Sequence, residues 1–261
     1  MHENSITYSE VVKMGEKKSK STLKDTFLFG VLGGIFIALG YIGYMSVVKN
    51  IIKIDKGVAS LLGAGVFPVG IMLCVGIGGE LFTSNNLITL AFLNKKINIQ
   101  KLIKNWTIVW IGNLTGAIFI AFMAKLAGVY KSQEMYSIAV NMAHHKIELT
   151  FIEAIASGFF CNILVSLAVW LSLSSKSLIS KLFALWFPVM LFVLSGYQHV
   201  VANMYVLSIA KLLDSSIHIQ DIVLNNLLPV TIGNALSGGV FIPYIYFKIF
   251  NNKKEAIKVK G

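Results

Sequence analysis

Long runs of apolar residues dominate the chain and determine its fold class. A helix needs about 20 apolar residues to cross the hydrocarbon layer of a membrane. Six stretches qualify, at residues 26–47, 58–93, 105–127, 149–173, 182–212 and 223–247. The second and fifth are too long for one simple crossing, so we expect each to be interrupted. The pattern predicts an all-α membrane protein with six transmembrane helices.

Composition agrees with this pattern and defines the segments. Apolar residues make up 56% of the chain and charged residues 13%, and the mean hydropathy is +0.72. A soluble domain of this size needs a larger charged surface. We predict a cytoplasmic N-terminal segment at 1–25, a channel-like membrane domain at 26–247 and a Lys-rich cytoplasmic tail at 248–261. Because the first apolar run follows a polar, Lys-rich segment, no cleavable signal peptide is expected.

The positive charge of the chain points to membrane topology. The net charge is +11, and all of the 23 basic residues are lysines. Recognition of nucleic acid relies heavily on arginine, so we expect no nucleic-acid partner. If both termini are cytoplasmic, sixteen of the lysines lie on the inner side. This bias predicts a multi-pass protein of the cell membrane with both termini inside.

The two halves of the chain resemble each other. Spans two and five share a Phe-Pro-Val motif, at residues 67–69 and 187–189. In the register of this motif, Thr83 falls against Asn203. Three spans per half predict two inverted repeats, with a pathway between them near the bilayer midplane. Spans three and six also share a Gly-Asn pair, at residues 112–113 and 233–234.

Polar interruptions at 76–86 and 195–203 indicate where this pathway runs. Unwound backbone at membrane depth is tolerated only against protein or a wet cavity. His199, in the second interruption, is either a packed core histidine or a pore residue, and ionisable groups at this depth are usually functional. Thr83, in the first, is either a helix cap or an anion donor at a positive helix end. Glu80 is expected to accept hydrogen bonds from the loop backbone.

Other polar residues support a pathway for anions. Lys146 either reaches the membrane interface or raises the anion concentration at a pore mouth. Phe67 and Phe192 either pack in the core or form hydrophobic constrictions. We expect an anion to be drawn to Lys146, to lose water at either phenylalanine, and to meet Thr83 and His199 between them. No metal is assigned to the adjacent pair His144 and His145, and neither disulfide nor metal to the cysteines, Cys74 and Cys161.

Two functions of other classes remain open. An intramembrane serine hydrolase needs a serine beside His199, and Ser195 or Ser157 is the candidate. No Gly-x-Ser-Gly element accompanies either serine. A channel for water or glycerol needs paired Asn-Pro-Ala motifs and an arginine filter, and the chain has neither. We therefore predict a transport protein and not an enzyme.

Four motifs, in order, resemble those of the formate/nitrite transporter family. They are Gly-Gly-Glu-Leu-Phe-Thr-Ser at 78–84, Gly-Phe-Phe-Cys-Asn at 158–162, the segment 195–204, and Ile-Gly-Asn at 232–234. The resemblance covers nearly the whole chain. It implies an aquaporin-like protomer, a homopentamer with one pore in each protomer, and no cofactor.

The resemblance also implies roles for individual residues. Thr83 and His199 would form the centre of the pore, and Lys146 would lie outside it. Phe67 and Phe192 would form constrictions. The other narrow parts and the central chamber would be lined by Ile71, Leu81, Val165, Asn162 and Asn203. Formate channels usually carry Glu before the central histidine, whereas this chain has Gln198. This departure favours hydrosulfide as substrate, followed by formate or nitrite.

Overall fold

The computed structural model describes residues 4–258, with side chains as far as Asn251. Every regular element in this part of the chain is helical, which confirms the predicted all-α class. The α-helices are α1 (Asn4–Ser19), α2 (Leu23–Ile51), α3 (Lys56–Val66), α4 (Val69–Leu73), α5 (Phe82–Asn85), α6 (Thr89–Leu93), α7 (Ile99–Leu126), α8 (Gln133–Ile147), α9 (Phe151–Ser174), α10 (Leu178–Leu194), α11 (Val200–Leu213), α12 (Ile219–Asp221), α13 (Leu228–Ala235) and α14 (Ile242–Lys258). π-Helical segments follow α4, α12 and α13, at Cys74–Gly78, Ile222–Leu227 and Leu236–Phe241.

Membrane-spanning helices occupy the predicted apolar stretches. Within the described residues, five helical stretches are long and apolar enough to cross a membrane: Leu23–Ile51, Lys56–Gly78, Ile99–Leu126, Phe151–Ser174 and Ile219–Asn251. Two shorter apolar helices, α10 and α11, follow one another in the predicted fifth stretch. All six predicted stretches are therefore helical, whereas the inverted orientation of the two halves stays a prediction.

Both predicted interruptions are present. Gly78 has a φ of 103° and Gly196 a φ of 71°, in a region that glycine adopts without steric cost. The chain then runs extended to Leu81 in the first interruption and to His199 in the second. Helices resume at Phe82 and Val200. Glycine therefore ends the first half of each interrupted span and lets the chain turn before the second half begins.

Glycines bring α2 and α7 close together, as small residues commonly do between membrane helices. A Cβ atom at Gly34 would overlap the carbonyl oxygen of Asn113. One at Gly116 would overlap the carbonyl oxygen of Val31. Neither position has room for a side chain, so this pair of glycines fixes how α2 and α7 pack.

Both ends of the described chain are helical, although their composition is polar. In the predicted segment 1–25, α1 buries Tyr8, Val11 and Val12 in a cluster with residues of α6, α9 and α14. The predicted tail 248–261 continues α14 as far as Lys258. Residues 1–3 and 259–261 lie outside the described residues, as do the side chains of Lys253, Lys254, Lys258 and Lys260.

Candidate functional site

A hydrogen-bonded pair, Thr83 and His199, lies between the two interrupted spans. Thr83 Oγ1 is 2.8 Å from His199 Nε2. Thr83 is fully buried and His199 is 3% exposed. The structure thus brings into direct contact the two residues that the sequence singled out in separate halves of the chain.

His199 is also the N-cap of α11, a role that the sequence analysis missed. Its Nδ1 accepts the backbone N–H of Ala202 at 3.2 Å. A ring nitrogen that accepts in this way carries no proton, so the proton of the neutral ring is on Nε2. Nε2 then donates to Thr83 Oγ1, and the hydroxyl proton of Thr83 is left to donate to another acceptor. An anion beside Thr83 is such an acceptor.

Thr83 does not cap a helix. The N-cap of α5 is Leu81, and Thr83 is the second residue of that helix. The helix-cap alternative is therefore wrong. The carbonyl oxygen of Thr83 accepts a hydrogen bond from Asn162 Nδ2 at 3.3 Å, and the same Nδ2 donates to Asn86 Oδ1 at 2.7 Å. Asn162, also fully buried, thus ties α9 to the backbone of the central pair.

Asn113 of α7 fixes the first interruption. Its Oδ1 accepts the backbone N–H of Phe82 at 2.9 Å. Its Nδ2 donates to the carbonyl oxygens of Gly30 and Glu80, each at 2.7 Å. One buried amide therefore satisfies the backbone on both sides of the break, as backbone unwound at membrane depth requires.

Asn234 of α13 fixes the second interruption in the same way. Its Oδ1 accepts the backbone N–H of Val200 at 3.0 Å. Its Nδ2 donates to the carbonyl oxygens of Gly158 at 2.7 Å and Gln198 at 3.0 Å. The Gly-Asn pairs of spans three and six therefore provide equivalent clamps, which explains their similarity in sequence.

A network around Lys18 lies beside the first interruption. Lys18 Nζ donates to Asn85 Oδ1 at 2.5 Å and is 3.8 Å from Glu80 Oε1. Asn85 Nδ2 donates to Glu80 Oε2 at 2.6 Å and to Asn105 Oδ1 at 2.8 Å. Glu80 therefore accepts from side chains, and its predicted role as an acceptor for the loop backbone is wrong. Lys18 was not among the residues predicted from sequence.

An equivalent network around Lys146 lies beside the second interruption. Lys146 Nζ donates to Asn203 Oδ1 at 2.6 Å and to Gln198 Oε1 at 3.0 Å. Asn203 Nδ2 donates to Gln198 Oε1 at 2.9 Å and to Asn226 Oδ1 at 2.8 Å. The side chain of Asn203 thus belongs to this network, and its hydrogen bonds are to Lys146, Gln198 and Asn226.

The two networks correct the register of the internal similarity. Asn203 is the counterpart of Asn85, since both accept from a lysine and donate to the side chain five residues earlier. The Phe-Pro-Val motif had placed Thr83 against Asn203, two residues away from this match. The sequence signal for this register is a pair of polar residues spaced five apart in each interruption. The pairs are Glu80 with Asn85 and Gln198 with Asn203.

An aromatic column leads from His199 toward Lys146. The ring of Phe192 stacks on His199 with centroids 5.5 Å apart. Phe67 meets Phe192 edge-on at 5.8 Å, and Tyr41 meets Phe67 at 4.9 Å. Phe67 and Phe192 therefore pack against each other on one side of the central pair. The expectation that Thr83 and His199 lie between the two phenylalanines is wrong.

Beyond this column lies a cavity of about 180 Å³, named here the Lys146 cavity. It is lined by Tyr41, Tyr44, Met142, His145, Lys146, Val193, Gly196, Tyr197 and Gln198. Lys146 lies near the end of α8, a helix that the sequence analysis did not predict, and is only 7% exposed. It is therefore not a lysine that reaches the interface. Burial lowers the pKa of Lys146 to about 8.

Two adjoining cavities, named here the Lys18 cavities, lie on the other side of the central pair. They measure about 180 and 300 Å³ and share Met14, Lys18, Cys74 and Gly79. Ile71 and Leu81, predicted to line narrow parts, line the smaller cavity. Val165 lies one turn before Val169, which lines the same cavity. Aliphatic side chains thus line the smaller cavity together with Ser84, the residue that follows Thr83.

The structure does not support the serine hydrolase alternative. Both ring nitrogens of His199 have partners other than a serine, namely Thr83 and Ala202. Ser157 Oγ accepts the backbone N–H of Gln198 at 3.2 Å.

The adjacent histidines, to which no metal was assigned, face different carboxylates. His144 lies 3.7 Å from Asp214, and His145 lies 4.0 Å from Glu148.

Comparison with known proteins agrees with this geometry. The profile of the formate/nitrite transporter family matches residues 5–248. An uncharacterized transporter of Bacillus subtilis, YrhG, is 39% identical over 95% of this chain and 93% of its own length. The formate channel FocA of Escherichia coli K12 is 34% identical over 92% of this chain and 90% of its own.

Solved structures show the same fold. A pentameric formate channel with formate bound has a TM-score of 0.79 and 33% identity, and covers 87% of this chain and 97% of its own. An ion channel of the same family has a TM-score of 0.85 and 25% identity, and covers 93% of this chain and 98% of its own. These relatives are transporters and channels, so the prediction that the chain is not an enzyme is confirmed. The chain belongs to the formate/nitrite transporter family, whose members move small anions across membranes.

Proposed function

We propose that each protomer is a pore for small monovalent anions whose centre is the hydrogen bond between Thr83 and His199. This bond carries the proposal, because it leaves the hydroxyl proton of Thr83 for an anion while the imidazole stays neutral. The anion approaches the Lys146 cavity, loses water at the constriction of Phe67 and Phe192, and meets Thr83. It leaves between Ile71 and Leu81 toward the Lys18 cavities.

The constrictions select against cations. Phenyl and aliphatic side chains offer nothing that replaces the water of a hydrated cation. Lys146, at one end of the path, attracts negative charge. Asn162 would keep the backbone of Thr83 in place while an anion passes, and Asn203 would orient Lys146.

We propose formate as the first substrate to test and hydrosulfide as the second. The names of relatives favour formate. Gln198 favours hydrosulfide, because its amide replaces the carboxylate usual in formate channels. Nitrite has a similar size and the same charge as formate and belongs in the same test.

We propose that the channel is a homopentamer in the cell membrane and that both termini of each protomer are cytoplasmic. The pentameric solved relative supports the assembly. Many apolar side chains on α3 and α10 are exposed in the single protomer, among them Leu61, Leu62, Phe183 and Phe187. The excess of lysines near both termini supports the topology.

The test is flux into proteoliposomes of purified protein. Formate, nitrite, hydrosulfide and chloride are offered separately at one pH, with potassium and choline as cation controls. We expect rapid saturable uptake of at least one small weak-acid anion and none of the cations. If no anion enters faster than in empty liposomes, or if cations enter equally well, the proposed function is wrong.

A further inference from the structure

The two lysine networks match in geometry but differ in charge. In each, a lysine donates to an asparagine, and that asparagine donates to the side chain five residues earlier. That side chain is the carboxylate of Glu80 in the Lys18 network and the neutral amide of Gln198 in the Lys146 network. The charge of Lys18 is therefore balanced by a carboxylate 3.8 Å away, whereas Gln198 brings no charge to Lys146.

The other charged groups near Lys146 do not balance it. Within the described residues, the ion pairs shorter than 4.0 Å include none of Lys146. Asp214 faces His144 at 3.7 Å, and Glu148 faces His145 at 4.0 Å. His145 lines the Lys146 cavity, but its side chain is 83% exposed and solvated. Lys146 is thus a buried cation held only by neutral oxygens.

Lys146 also has room and a donor for a ligand. An ammonium group carries three N–H donors, and Lys146 uses two of them for Gln198 and Asn203. The cavity that it lines measures about 180 Å³. Since one water takes about 30 Å³ of the liquid, a formate-sized anion fits there together with several waters.

The surroundings of Lys18 are different. Lys17 lines the larger of the two Lys18 cavities, but its side chain is exposed and its charge is screened by solvent. The smaller cavity, next to Leu81, is lined by Lys18 as its one basic side chain among the described residues. Glu80 opposes an anion at this lysine, because a carboxylate and an incoming anion compete for the same cation.

We propose that the Lys146 cavity is a binding site for the transported anion, that the Lys18 cavities are not an equivalent site, and that Gln198 determines this difference. The inference rests on the proposed function, since the bound anion is the one that the pore conducts. The opening of the pore at the Lys146 cavity is named here the Lys146 mouth, and the opening at the Lys18 cavities the Lys18 mouth. The two mouths then differ in apparent affinity for the anion, and uptake through the Lys146 mouth has the lower KM.

Thermodynamics limits what this asymmetry does. A passive pore cannot move its substrate uphill, so Vmax/KM must be equal for the two directions at equal pH and zero membrane potential. A lower KM at the Lys146 mouth is therefore accompanied by a proportionately lower Vmax for uptake through that mouth. The site lets the channel work at low anion concentration on one side without becoming a pump.

The experiment compares right-side-out and inverted membrane vesicles from the same cells, so that uptake begins at one mouth or the other. Initial rates of isotopically labelled formate uptake are measured against concentration. We expect Gln198→Glu to raise the KM at the Lys146 mouth about ten-fold or more, because it places a carboxylate beside the cation. The KM at the other mouth stays within two-fold. Gln133→Glu, on the exposed first turn of α8, is the matched control and leaves both KM values unchanged.

A second variant tests the same idea from the other network. Glu80→Gln removes the carboxylate beside Lys18 and is expected to lower the KM at the Lys18 mouth. The proposal is overturned if the wild type has equal KM values at both mouths, or if Gln198→Glu shifts neither. Those outcomes still include formate flux, whereas a wild type without any anion flux would refute the proposed function itself. Failure of Glu80→Gln to assemble leaves Gln198→Glu as the deciding variant.

Discussion

His199 Nδ1 accepts the backbone N–H of Ala202 at 3.2 Å, so the residue that pairs with Thr83 also caps the N-terminus of α11. This bond ties the protonation of the ring to the helix. Adding a proton to Nδ1 would turn it into a donor facing another donor, and α11 would lose its cap. The geometry therefore maintains a neutral imidazole, whose Nε2 proton is directed to Thr83.

The first prediction separates the two roles of His199. His199→Phe removes both the cap and the Nε2 donor, so we expect a stability loss of about 1 kcal/mol from the cap and at least a ten-fold loss of formate flux. His199→Asn keeps a side chain that caps well and offers an amide donor, so we expect it to melt within a few degrees of the wild type and to retain part of the flux. Thermal unfolding in detergent and proteoliposome flux measure the two effects. Equal melting temperatures of the wild type, His199→Phe and His199→Asn would show that the cap contributes nothing to stability.

The second prediction concerns the hydroxyl group of Thr83. Thr83→Ala removes a donor to a charged ligand, which costs about 1.5–3 kcal/mol and lowers anion flux roughly ten-fold or more. Thr83→Ser retains the hydroxyl group and is expected to stay within three-fold of the wild type. Thr115→Ala, at an exposed position of α7, controls for loss of a threonine elsewhere. Normal flux through a folded Thr83→Ala protein would place the pathway elsewhere.

Thr83 and His199 were predictable from sequence because the membrane interior disfavours unpaired backbone groups and ionisable side chains. Interrupted backbone and a histidine at membrane depth are costly, so the sequence retains them only where they have partners or a function. Thr83 and His199 both lie within such interruptions. The Gly-Asn pairs carried a further signal, since Asn113 and Asn234 each clamp one interruption.

What the sequence did not reveal depends on tertiary packing. Lys18 lies among several similar lysines in a polar segment, and only the docking of α1 brings it to Asn85. Phe67 and Phe192 lie in the first halves of the two interrupted spans. Their positions along the chain do not determine whether their rings are in contact. Lys146 is followed by an apolar span and therefore resembles an interfacial lysine in the sequence. Its burial becomes evident only from the packing of α8, the helix to which it belongs.

The third prediction concerns the clamp on the second interruption. Asn234→Leu leaves the N–H of Val200 and the carbonyl groups of Gly158 and Gln198 without their partner. Each buried unsatisfied group costs about 1–3 kcal/mol, so we expect a marked drop in melting temperature and loss of flux together. Asn141→Leu, on the exposed face of α8, should change neither. Wild-type stability of Asn234→Leu would mean that the interruption is held by other contacts.

The last prediction is a pH dependence at the Lys146 mouth. Burial lowers the pKa of Lys146 to about 8, below its usual value of 10.5. The lysine is thus charged below about pH 8 and becomes neutral as the pH rises through that value. Formate is ionised throughout this range, because carboxylates titrate near pH 4. We therefore expect the KM for uptake through the Lys146 mouth to rise several-fold between pH 7 and 9.

Two variants show whether Lys146 is the titrating group. Lys146→Gln removes the charge at every pH, so its KM should already be high at pH 7 and should not change further by pH 9. Lys131→Gln removes an exposed lysine that precedes α8 and should keep the pH dependence of the wild type. Uptake is measured in vesicles with equal pH on both sides, so that no proton gradient drives the anion. A KM that rises equally in the wild type and in Lys146→Gln would assign the titration to another group and leave Lys146 with a structural role.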